Sequence, residues 1–173
     1  GLDAKKHPLL QKREVQKVGY LVLCSDKGLA GAYSSNALKM AVAEISECED
    51  EVVVITCGRK ARDFFTRRGF NVIQSHIGFS DRPTYENAVD IAQDAIKTFA
   101  SEGFDKLNIV YTVFKTALSQ IPTSEVILPV EPPVKEEGKA QASFMFEPGE
   151  DDTLTVLAPK YLETVVYAAL VQS

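Results

Sequence analysis

Four short apolar runs, alternating with stretches of helical period, constrain this chain more than any other feature. Residues 18–24 (Val-Gly-Tyr-Leu-Val-Leu-Cys) are nearly all apolar, as in a strand buried on both faces of a parallel sheet. They run into the turn-rich Ser25-Asp26-Lys27-Gly28-Leu29-Ala30-Gly31. Leu38, Ala41, Val42 and Ile45 then recur at i, i+3, i+4 and i+7, which predicts an amphipathic helix with Ser34 or Ser35 as its N-cap. Residues 52–57 repeat the strand pattern and close on Gly58; a short basic helix follows and stops at Gly69, a C-cap candidate. Residues 71–77 read as a third strand and 79–83 as a loop. Thr84 can cap a helix with Ala88, Val89, Ala92, Ala95, Ile96 and Phe99 on one face and Glu86, Asp90, Asp94 and Lys97 on the other. A fourth strand spans 107–114.

This rhythm implies βαβ units and a mainly parallel sheet. After it the pattern changes. Residues 123–130 read as a strand, 131–141 as an exposed, mobile loop, and 142–146 as a short strand ending at Glu147-Pro148-Gly149. A helix is expected from Glu150, with acidic residues in its first turn, and Pro159 should kink it or begin a new segment. Leu162, Val165, Val166, Ala169 and Leu170 keep helical spacing beyond it. The expected fold is α/β: a single Rossmann-like domain, a mainly parallel sheet flanked by helices. Residues 1–17 read as a linker or the end of an N-terminal helix, 18–158 as the globular domain, and 159–173 as the start of a C-terminal helix. The opening Gly-Leu-Asp lacks an initiator Met, which suggests a processed or excised chain, and the final helix has no stop signal, so the natural protein is expected to continue.

Length and composition suit one soluble globular domain: 173 residues, 45% hydrophobic and 25% charged. Twenty-four acidic against 19 basic residues give a net charge of −5, which disfavours nucleic acid as a partner. No apolar stretch approaches the ~18 residues of a membrane span. Cys24, Cys48 and Cys57 form no CxxC or Cys/His cluster, so they read as buried reduced thiols in a reducing compartment, with no metal site. His7 and His76 have no local carboxylate or nucleophile partner and read as structural or exposed. No catalytic constellation or cofactor motif is visible. Within residues 58–69, Arg59, Lys60, Arg62, Arg67 and Arg68 face the single acid Asp63; this is a solvated face or a dock for an acidic protein surface, with Phe64 and Phe65 as core anchors. The glycine loop sits where a dinucleotide fold holds a pyrophosphate, but it is neither GxGxxG nor GxxxxGK[ST]. A small-molecule or nucleotide site using Gly28 and Gly31, a tight turn, and a loop shaped for a partner protein all remain open on these residues.

Four motifs in order carry a resemblance. Ser25-Asp26-Lys27-Gly28-Leu29-Ala30-Gly31, after Val-Gly-Tyr-Leu-Val, resembles the S/T-D-R/K-G-L-C-G signature of the gamma subunits of F-type ATP synthases, with Ala30 in place of the usual cysteine. Gly58-Arg59-Lys60 through Phe64-Phe65, with Arg67-Arg68-Gly69, is similar to a second family segment. Phe114-Lys115 through Ser119-Gln120-Ile121-Pro122-Thr123 and Leu128-Pro129 is similar to a third, although the order of Phe and Lys departs from it. Phe144-Met145-Phe146-Glu147-Pro148 with Tyr161-Leu162-Glu163 and Tyr167 is similar to the fourth.

The resemblance implies the foot of a rotor stalk without its coiled-coil axle: a non-catalytic central-stalk subunit with no cofactor. It would transmit torque between the c-ring and the alpha/beta catalytic hexamer, bind the epsilon subunit, and sit peripherally on an energy-transducing membrane. It also implies site residues. Ser25, Asp26, Lys27, Gly28, Leu29, Ala30 and Gly31 should face the beta subunits, with Lys27 suited to their acidic segment. Phe144, Phe146 and Glu147 should meet the c-ring and part of epsilon, and Tyr161 and Tyr167 should lie on the epsilon side. The absence of a cysteine pair in 131–141 gives no sign of redox regulation of the chloroplast type.

Overall fold

A computed structural model describes residues 8–24, 31–78, 82–116, 119–131 and 150–172; of 31–35 and 150–156 only the backbone is described. Within these residues five strands form one sheet in the order β3-β2-β1-β4-β5: β1 Lys17–Leu23, β2 Glu51–Cys57, β3 Val72–His76, β4 Lys106–Phe114 and β5 Gln120–Leu128. The first four are parallel and β5 pairs antiparallel with β4, so the α/β expectation with a mainly parallel sheet holds. The helices are α1 Gly31–Glu47, α2 Arg59–Arg67, α3 Tyr85–Ala100 and α4 Glu150–Gln172.

Strand order decides which helix covers which face. From β1 to β3 the chain steps one way across the sheet; from β3 to β4 it steps back past β2 and β1. Crossovers are right-handed, so reversing the direction moves the connecting helix to the other face. Accordingly α1 and α2 pack on one face with Val18, Tyr20, Val22, Val54 and Val110. On the other face α3 and α4 pack with Leu21, Ile55, Leu107 and Ile109. Alternate residues of one strand thus enter two separate cores, as the strand's period of two requires.

Local signals explain most boundaries. Thr84 caps α3: its hydroxyl accepts from Asn87 N at 3.2 Å while Asn87 Oδ1 accepts from Thr84 N at 2.8 Å. Gly69 follows the end of α2 at φ +78°, the left-handed conformation that lets the chain leave the helix. Two boundaries differ from expectation. The first helix already runs from Gly31, which places Ser34 and Ser35 inside it rather than at its cap. The fifth strand starts at Gln120, because residues 120–122 continue the ladder opposite Thr112–Phe114 on β4. Pro159 lies inside α4, whose Leu162, Val166 and Ala169 are buried; packing of that face holds the helix where local propensity is poor.

The segment ahead of β1 is docked. Leu9 and Leu10 are buried, and Val130 N donates to Leu9 O at 2.7 Å. Arg13 Nε lies 3.3 Å from Asp105 Oδ1, its guanidinium stacks 4.1 Å over the Phe99 ring, and it donates to Phe104 O. The other Asp105 oxygen accepts from Gln16 N and Lys17 N, each at 3.0 Å. Burial by itself raises the Asp105 carboxyl, but those backbone donors and Arg13 outweigh it and hold the pKa below the ordinary value.

Candidate functional site

The C-terminal ends of β1, β2 and β3 meet at one edge. Cys24 N donates to Cys57 O at 3.0 Å, and Gly58 N to His76 O at 2.8 Å. The Ser25–Gly31 motif leaves from here, between β1 and the reversal toward β4, the place where open α/β folds bind ligands. Ser25, Asp26, Lys27, Gly28, Leu29 and Ala30 lie outside the described residues, and Gly31 is the first residue of α1.

Beside that edge stands α2. Phe65 is fully buried and meets Phe64 and Phe70 edge-to-face at 5.1 and 5.2 Å, which fixes the helix on the sheet. Phe64 is half-buried and lies 3.7 Å beneath the Arg68 guanidinium. Arg62 pairs with Asp63 at 3.0 Å, leaving Arg59, Lys60, Arg67 and Arg68 on the exposed side. Cys24 and Cys57 are buried free thiols, and burial pushes the Cys57 thiol far up. Cys48 is only half-buried, since it follows the last turn of α1 where the helix leaves the sheet. His76 has a carboxylate neighbour that the sequence did not reveal: its Nε2 lies 3.7 Å from Asp94 Oδ2 on α3, beyond hydrogen-bond reach. Burial lowers its pKa, against the opposing pull of Asp94 and Asp90, so the ring stays neutral near pH 7. Among the described residues no group of three His, Cys, Asp or Glu could hold a metal ion.

The second predicted contact region is only partly described. Phe144, Phe146 and Glu147 lie outside the described residues. The two tyrosines of α4 are present and differ. Tyr167 is partly buried and stacks on Tyr85 of α3 at 5.4 Å with planes 17° apart, while Tyr85 Oη donates to Glu163 Oε1 at 3.3 Å. Tyr161 is 56% exposed and lines a groove of about 410 Å³ with Val126, Ile127 and Val130, rimmed by Glu125 and Glu131. An exposed aromatic beside an apolar groove with a charged rim has the composition of a protein-contact site. Tyr85 and the β5 wall of this groove were not legible in the sequence, because each lies tens of residues from Tyr161 and Tyr167.

A family model described as ATP synthase matches residues 1–173. The chain is 39% identical over 176 residues to the ATP synthase gamma chain of Brevibacillus brevis, covering 100% of this chain and 61% of that one. It is 41% identical over 168 residues to the gamma chain of Pelotomaculum thermopropionicum, covering 96% and 59%. The chain belongs to the ATP synthase gamma-chain family. It spans about 60% of the length of the curated relatives it matches. Among solved structures, a chain in the central stalk and c-ring structure of Tetrahymena thermophila mitochondrial ATP synthase superposes with a TM-score of 0.66 over 99% of this chain and 78% of that one, at 18% identity. A chain in the rotor structure of Euglena gracilis mitochondrial ATP synthase gives 0.66 over 98% and 68%, at 15% identity. At such identities the likeness is one of fold. It extends to nearly the whole chain, and no finding favours the nucleotide-site reading of Gly28 and Gly31.

Proposed function

We propose that this chain is the globular part of a central-stalk subunit that carries torque between a c-ring and a ring of catalytic subunits, without catalysing a reaction itself. The observation that carries the reading is the gamma-chain likeness over residues 1–173. A torque-bearing foot has to resist shear where its shaft joins it. The face covered by α3 and α4 suits that demand: Leu9, Leu10, Leu162, Val166 and Leu170 bring both ends of the described chain into one core. Residues 1–17 and 159–173 are then the junctions with flanking shaft helices, around a globular domain at 18–158. Among the described residues no helix is long and apolar enough to cross a membrane, which suits peripheral attachment to an energy-transducing membrane through the complex.

The contact sites follow from the motifs. The Ser25–Gly31 loop faces the catalytic ring, where Lys27 meets acidic side chains. Phe144, Phe146, Glu147 and Tyr161 form the side that meets the c-ring and the epsilon subunit, and Tyr167 supports it through its stack on Tyr85. Binding of the chain to an immobilised epsilon subunit tests this. Capture should weaken about tenfold or more for Tyr161→Ala, the loss of an exposed aromatic anchor, with the fold unchanged by circular dichroism. Failure of the folded wild-type chain to bind epsilon would remove the epsilon assignment; equal capture of both forms would remove Tyr161 from the interface.

A further inference from the structure

Residues 8–16 approach the sheet with little regular structure of their own: Pro8–Leu10 form a short 3-10 helix, and β1 begins only at Lys17. Contacts from distant parts of the chain must therefore fix their path. Leu9 and Leu10 are buried, but apolar burial is non-directional and sets no register along the surface it covers. The Lys12–Glu131 ion pair is 73% and 71% exposed and adds little. Val130 N donates to Leu9 O at one end of the stretch, and Glu51 N donates to Gln16 O at the other. Between them the directional contacts converge on Arg13 and Asp105.

Arg13 reaches three groups at once. Its Nε lies 3.3 Å from Asp105 Oδ1, its guanidinium stacks 4.1 Å over the Phe99 ring, and its Nη2 donates to Phe104 O. Asp105 holds the same stretch from the other side. Its Oδ2 accepts from Gln16 N and Lys17 N, each at 3.0 Å, and its own N donates to Lys17 O at 2.8 Å. The two side chains are only 16% and 15% exposed, so water screens the pair less than a surface salt bridge. A planar guanidinium stacks and donates in fixed directions together, which a lysine ammonium does not. Such contacts weaken steeply once distance and angle change, so they oppose sliding where apolar contacts alone oppose only separation.

We propose that Arg13, held by Asp105, is a positioning residue that locks residues 8–16 to the turn between α3 and β4. A twist or pull arriving from ahead of residue 8 then passes through Arg13 into Phe99, Phe104 and Asp105, and so into the sheet, instead of peeling the segment away. The lock stands on these contacts alone; its part in carrying torque rests on the central-stalk reading.

Single-molecule pulling by the two chain ends tests the lock. In the wild type, residues 8–16 should stay attached until the domain opens. Arg13→Gln should add an early, low-force step that releases roughly 30 Å, nine residues at about 3.3–3.6 Å each, with the force of the main opening unchanged. Arg13→Lys should behave like Arg13→Gln, since charge without the stack and the fixed fork does not restore the lock. An Arg13→Gln chain with no early step, or one whose main opening force falls instead, would overturn the lock, the second by making Arg13 a general support. The torque role is read in the chain with its shaft helices, assembled with a c-ring and a catalytic ring. There Arg13→Gln should lower the ions moved per ATP hydrolysed while hydrolysis continues; an unchanged ratio would overturn that role. A wild-type chain that does not assemble would remove the central-stalk reading itself, and the pulling result would still decide the lock.

Discussion

The two faces of the sheet are built from the same strands and differ in kind. The face under α3 and α4 is a continuous apolar core joining Phe99, Phe104, Leu107 and Leu162 to Leu9 and Leu10 from the front of the chain. Arg13 and Asp105 close its lower rim and Thr84 caps α3, while Gln74 Oε1 and His76 Nε2 lie buried against α3 without a hydrogen bond. The face under α1 and α2 is interrupted. It carries the basic side of α2 and, under the last turn of α1, an open cleft lined by Tyr20 and Asn108. The sealed face holds the chain ends in register, whereas the interrupted face opens to solvent along the exposed side of α2 and at the cleft under α1. Burial alone does not separate the two, since Phe65 on one face and Phe99 on the other are both fully buried.

Truncating the sealed core should have the largest effect. Phe99→Ala removes a fully buried ring that touches Phe104 and supports Arg13, and should cost about 3–5 kcal/mol in urea unfolding. A loss below about 1 kcal/mol would mean that this face is not the continuous core described. Next is the rim. Asp105→Asn leaves Arg13, only 16% exposed, without its charge partner and weakens the bonds to Gln16 and Lys17; about 1–3 kcal/mol should be lost. Amide exchange of residues 8–17 should quicken along with it, whereas unchanged exchange there would separate the rim from the docking of the N-terminal segment.

The cap of α3 should contribute less. Thr84→Ala should cost about 1 kcal/mol, with chemical-shift changes confined to the first turn of the helix. The smallest effect is pH-dependent. His76 has a lowered pKa in the fold, so the unfolded chain binds its proton more readily. The stability this gives is complete above the unfolded value of about 6.5 and is lost as pH falls through the folded pKa. Asp105, also lowered, acts with the same sign in the more acidic carboxylate range. Comparing unfolding curves of the wild type and His76→Gln between pH 7 and pH 5 checks this, and parallel slopes would show that His76 adds nothing.

Much of the fold was legible because it is written in short periods. The nearly continuous apolar runs 18–24 and 52–57 located two inner strands, and the spacing of Ala88, Ala92, Ala95 and Phe99 located the buried stripe of α3. That stripe also includes Ile91, which the reading by spacing left out; the helix meets both the sheet and α4, so its buried arc is wider than one row. The basic segment 58–69 was legible as a helix with a phenylalanine anchor, and Phe65 is the buried one of the pair. The N-terminal segment was harder. Polar and broken by Pro8, it reads as a linker, yet Leu9 and Leu10 enter the core because Val130 and Asp105 supply partners from distant parts of the chain.

By itself the sequence determined the elements, their type and the family, since helix and strand periods and ordered motifs are properties of neighbouring residues. Only the tertiary structure decided which residues meet. Tyr85 stacks on Tyr167, Arg13 pairs with Asp105, His76 lies by Asp94, and Tyr20 adjoins Asn108. Each pairing depends on strand order and on the face to which a right-handed crossover sends its helix, and no local period encodes either.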